Sequence, residues 1–166
     1  MRYGNGNYNA EVLVVNAYGV LKFLHVLSVI AWIGGVVALT VLTRRIARER
    51  NREILVAWLR QAASYGQMVA GPASGIVLLT GAIMVWIAKL GFGTPWVVWG
   101  FAGIVLHILL GAVLVRKRTI ELTELASGAG DDAALGDASR KLWRVQLIYV
   151  TLMASVVAAM VLKPTF

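Results

Sequence analysis

Two histidines, His25 and His107, stand inside stretches of the chain that are otherwise apolar. His25 lies in YGVLKFLHVLSVIAWIGGVVALTVLTRR, residues 18–45. An ionisable side chain is costly to insert into a membrane span, so it usually has a partner or a task there. At steps of three and four from His25 come Ser28, Val29, Trp32 and Gly35, which share its helix face. An imidazole, a large aromatic and a glycine on one face can wall a flat cofactor such as a haem. The same residues can also make a plain helix contact, with Trp32 packed on a neighbour and His25 hydrogen-bonded to it.

A second histidine raises the question of a bis-histidine haem. Residues 18–45 centre near residue 31, and the third apolar stretch centres near residue 106. At 1.5 Å per residue, His25 then lies about 9 Å outward of His107. Two axial nitrogens on one iron lie only about 4 Å apart, twice the usual metal–nitrogen distance. One haem shared by the two histidines is therefore not the natural geometry. At the depth of His25 the second span offers Met84, the fourth offers Met160, and the third offers Gly100, a gap for a flat ring. Histidine with methionine is a known axial pair. The metal-ligand candidates are thus His25, Met84, Met160 and His107. Lys22 and Lys163, at the outer rim, suit haem propionates or simply snorkel to water.

These residues need apolar helices to hold them. The chain has 166 residues, 59% hydrophobic and 14% charged, the balance of a small helical membrane protein. Four spans are expected, at about 16–42, 64–90, 95–115 and 143–162, joined on one side by connections 43–63 and 116–142. The fold class is all-α: an integral membrane four-helix bundle in a single domain, because lipid leaves an open sheet edge unsatisfied. The absence of cysteine removes disulfides, thiolate metal sites and iron–sulfur clusters.

The net charge of +8 does not indicate nucleic acid, because the basic residues flank the spans. Twelve of the sixteen, including Arg44, Arg45, Arg48, Arg116, Lys117 and Arg118, fall in or beside the two connections. By the positive-inside rule these are cytoplasmic and both termini lie outside, in the plasma (inner) membrane. Trp86, Trp96 and Trp99 fall at the outer boundary and Trp58 and Trp143 at the inner one, as an aromatic belt would. The first connection keeps a helical period and extends its neighbours or lies on the inner surface. The third, with ASGAGDDAALGDAS, reads as a flexible loop over residues 121–139. Gly71-Pro72 predicts a kink in the second span.

Lys22-x-x-His25, Trp32-x-Gly34-Gly35, the arginine pair, Gly71-Pro72-Ala73, Thr80-Gly81 and the terminal Lys163-Pro164-Thr165-Phe166 together resemble HemJ-type protoporphyrinogen oxidases. They also resemble the membrane domain of copper-resistance D proteins and a related group of uncharacterised small membrane proteins, to which this chain is closest. The resemblance implies a four-helix bundle that binds haem b through His25 and transfers electrons. Gly100 stands where HemJ-type proteins carry a lysine, and Arg144-Val145-Gln146-Leu147 replaces their asparagine–glutamate pair, which counts against the oxidase activity itself. The expected function is a haem b membrane protein, an oxidoreductase or electron carrier serving a quinone or another redox partner. It would act in lipid alone, as a homo-oligomer or within a larger complex. The alternatives are copper handling and a non-catalytic subunit or assembly factor.

Overall fold

The computed structural model describes residues 5–49, 51–128 and 131–164. Helix α1 runs Asn5–Arg48. Helix α2, Arg52–Tyr65, passes through a π-helical turn, Gly66–Ala70, into α3, Gly71–Ile87. Helix α4, Pro95–Leu110, passes through a second π-helical turn, Gly111–Val115, into α5, Arg116–Ser127. Helix α6 is Asp132–Leu162. Among the described residues the result is four rods, each long and apolar enough to cross a membrane.

The chain around Pro72 accounts for the first π turn. Proline has no N–H to give, and its ring crowds the carbonyl four residues back, so the turn before it widens. The expected kink is thus met by a π turn just ahead of Gly71-Pro72. The second π turn has no proline. There Tyr149 of α6 lies against Gly111, and a Cβ added at residue 111 would stand 2.9 Å from the tyrosine oxygen.

The rods exceed the bilayer. The second covers 36 residues, about 54 Å at 1.5 Å per residue, against about 30 Å of hydrocarbon. The surplus projects at the arginine-rich end and has its own core. Leu55 and Leu59 of α2, Leu122 and Ala126 of α5, and Ala138 and Leu142 of α6 bury one another there. This corrects two boundaries. The first connection extends its neighbours, α1 running to Arg48 and α2 starting at Arg52, so the spans reach past 42 and begin before 64; residues 121–139, expected as a flexible loop, are mostly helix. The i, i+4 apolar pairs Leu122/Ala126 and Ala138/Leu142 had a partner to bury against, which the glycines and aspartates of that stretch obscured.

Its three aspartates serve the ends and sides of helices. Asp131 caps α6 by accepting from the Ala133 N–H at 3.0 Å. Asp132 pairs with Arg52 at 2.5 Å, and Arg52 also donates to the Gly128 carbonyl at 2.8 Å, so both turns at this end are fastened together. Asp137 pairs with Lys141 at 2.7 Å and Arg140 at 3.6 Å.

Within the spans, Trp32, Ala73, Val77, Ile104 and Met153 form a second core drawn from all four rods. α1 lies along α3 and α4 along α6. Gly103 and Gly100 allow the second approach, because a Cβ at either would collide with Val156 or Met160. Cations cover indoles at both rims: Arg44 lies 4.1 Å from the Trp143 ring and Lys163 lies 5.6 Å from Trp96.

A candidate chamber and a poised histidine

The sequence places Trp32 and His25 on one face of α1, yet they serve different surroundings. His25 meets α3. Its Nδ1 is 2.9 Å from Thr80 Oγ1, and its ring lies over Gly81, where a Cβ would stand 3.4 Å from Cε1. Thr80 has one hydroxyl proton, and it donates this to the Ile76 carbonyl at 2.6 Å. The Thr80 oxygen is then the acceptor for His25, which sets the proton on Nδ1 and the lone pair on Nε2. Threonine can afford this back-bond because its short side chain reaches the preceding turn of its own helix.

Seven residues on, about 10 Å down the helix, Trp32 meets His107 instead. Their ring centroids are 4.8 Å apart at 83°. His107 also stacks on Tyr149 at 3.5 Å and 27°. The imidazole of His107 is completely buried, and neither ring nitrogen has a hydrogen-bond partner among the described residues. Leaving a buried donor or acceptor unpaired costs about 1–3 kcal/mol. The two histidines thus occupy different levels, and the depth argument against one shared iron agrees with this arrangement.

His107, Trp32 and Tyr149 form the inner wall of a cavity of about 570 Å³. From Trp32 it follows α1 past Val36 and Thr40 to Thr43, eleven residues or about 16 Å. Its deep end is aromatic, and its far end presents Thr40, Gln146, Thr119 and Arg116. Its side is open. α2 meets α5 at the arginine-rich end and α3 meets α4 nearer the other. Between these contacts the two π turns stand apart and line the cavity with Gly66, Ala70, Gly111 and Ala112. Met68, Val69, Val113 and Leu114, on the same turns, are exposed as lipid-facing residues would be.

Several expected site residues are used otherwise. Gly35 does not wall a cofactor slot: the Tyr65 ring occupies the space a Cβ there would need, and its hydroxyl donates to the Ala31 carbonyl at 2.5 Å. Gly100 is no open gap either, since the Met160 methyl fills it. Met84 stands one turn beyond Thr80 on α3, half-buried. Lys22 is exposed one turn from His25 on α1, and Lys163, left-handed at φ 44°, ends α6 beside Trp96. Thr165 and Phe166, the close of the terminal motif, lie outside the described residues.

The sequence reading passed over Thr80 as a partner of His25 and Tyr149 as a partner of His107. A hydroxyl-bearing residue inside an apolar span was the available signal for both. Among the described residues no group of three or more histidines, cysteines, aspartates and glutamates gathers.

No curated protein matches the chain, and neither does any solved structure. Residues 19–164 match a family described as predicted integral membrane proteins. That span takes in the first rod from residue 19, the other three whole, His25, His107 and the chamber, and the chain belongs to this family, DUF2269.

Proposed function

We propose that the protein is a b-type haem protein of the plasma membrane, in which His25 would hold the haem. The observation that carries the reading is the hydrogen bond between His25 and Thr80. Metal-bound imidazoles characteristically donate their second N–H to a fixed acceptor, which sets the tautomer and the ring orientation. Thr80 does this for Nδ1 and leaves the Nε2 lone pair free. The donor chemistry therefore fits a haem that His25 would hold, and the resemblance to HemJ-type proteins supports the same residue.

Haem, when bound, supplies a one-electron ferric–ferrous couple. The chain's own residues would orient the ligand through Thr80 and admit the His25 ring close to α3 at Gly81. Lys22, on the His25 face one turn outward, would hold a propionate at the rim. Met160 packs its methyl against Gly100. The arginine-rich end, with its own small core, lies on the cytoplasmic side under the positive-inside rule.

The test is haem content in two variants. His25→Ala should lose haem and still insert, since the span becomes more apolar. His107→Ala should keep it. Equal loss in both, or full retention in His25→Ala, would contradict the assignment.

A further inference from the structure

The chamber poses a question that the His25 site does not answer. His107 is wholly buried with both ring nitrogens unpaired, and it lines a cavity that opens sideways at the level of the π turns. A neutral imidazole presents one N–H donor and one lone pair. A ligand that fits carries a hydrogen-bonding edge on an apolar body, and a flat ring suits, because Trp32 and Tyr149, packed on the two sides of His107, make this end of the cavity aromatic. It must also arrive through lipid, because the open side faces exposed Val69 and Val113.

We infer that the chamber binds the ring of a quinone-class lipid, a ring carbonyl accepting from His107 and the isoprenoid tail leaving between the two π turns. A quinone offers two carbonyl acceptors, and its quinol form offers hydroxyl donors. Both ring nitrogens are covered in this structure, so His107 turns towards the ligand, and its donor and lone pair then meet either state. Gln146, one turn of α6 from Tyr149, gives the second ring oxygen a polar partner towards the arginine-rich face. The cavity, about 570 Å³, lies within the usual range of about 300–1,000 Å³ for small-molecule sites. A fatty-acid or phospholipid carboxylate or phosphate is a poorer match for the deep end. Its charge would have to be buried beside the Trp32, His107 and Tyr149 rings, with no cation among them.

The experiment is a binding titration of detergent-purified, delipidated full-length protein. The probes are a one-isoprene benzoquinone and a one-isoprene naphthoquinone, read by calorimetry and by the infrared carbonyl band. Protein without added haem is used, so the outcome is independent of whether His25 binds haem. Wild type should bind one of the two with a displaced carbonyl stretch. His107→Phe, which keeps a flat ring and removes both nitrogens, should bind about tenfold more weakly and return the stretch to its free position. Ala70→Trp, which narrows the open side without touching His107, should weaken binding of a long-tailed quinone. Oleate should not displace the bound quinone. No binding of either quinone by wild type, an unshifted carbonyl, unchanged affinity in His107→Phe with the protein folded by circular dichroism, or displacement by oleate would each overturn the inference.

Discussion

Replacing Thr80 by valine keeps the shape of the side chain and removes the hydroxyl that His25 bonds. In the native arrangement Oγ1 accepts from His25 Nδ1 at 2.9 Å while donating to the Ile76 carbonyl at 2.6 Å. In Thr80→Val the Ile76 carbonyl keeps its helical N–H, so the helix tolerates the change. His25 loses its side-chain acceptor and keeps only the Val77 carbonyl beside it, so its ring can turn or change tautomer. Partners of metal-bound imidazoles are worth about 10–100-fold in affinity, or about 1.4–2.8 kcal/mol at 1.4 kcal/mol per tenfold. A hydrogen bond that only fastens two membrane helices averages about 0.6 kcal/mol. The two roles therefore separate by size and by readout. Soret titration of Thr80→Val with haem should show the larger loss, and thermal unfolding of the haem-free protein should show only the smaller one. Haem affinity equal to wild type, with only the small stability loss, would refute the orienting role and leave His25–Thr80 as a helix clamp.

Gly35→Leu should cost about 1–3 kcal/mol of stability by overpacking against Tyr65, and Tyr65→Ala in the same chain should restore part of it. Absence of that rescue in thermal unfolding would contradict the packing described. Leu122→Ala, at a fully buried position, should cost about 2–5 kcal/mol locally. It should open the arginine-rich end to trypsin while the spans stay inserted; unchanged cleavage would show that this core is not holding the rods together. Reporters fused at the C-terminus should read outside and reporters inserted near Gly128 should read cytoplasmic, from the twelve-to-four distribution of basic residues. The reverse pattern would invert the topology.

The spans were legible because twenty or more apolar residues between basic flanks have few other fates. The separate depths of His25 and His107 were legible because a helix rises by a fixed amount per residue. What α1 faces was not legible. Period 3.6 puts His25 and Trp32 on one stripe, but it does not say that the stripe meets Thr80 at one level and His107 a helical turn or two below. Gly35 and Gly100 show the same limit. Each marks a close approach, and only the fold reveals that a tyrosine and a methionine make it. The helices at residues 116–127 and from 132 were hidden for a different reason. Their apolar positions are sparse, and what stabilises them is a core shared with α2, more than sixty residues earlier in the chain.

Whether His25 holds a haem is read from the absorption spectrum of the detergent-purified wild-type chain produced with haem supplementation. It should show a Soret band whose pyridine haemochrome is that of haem b, and the band should be lost in His25→Ala purified in parallel. A colourless wild-type protein that remains colourless when titrated with haem would contradict a haem at His25.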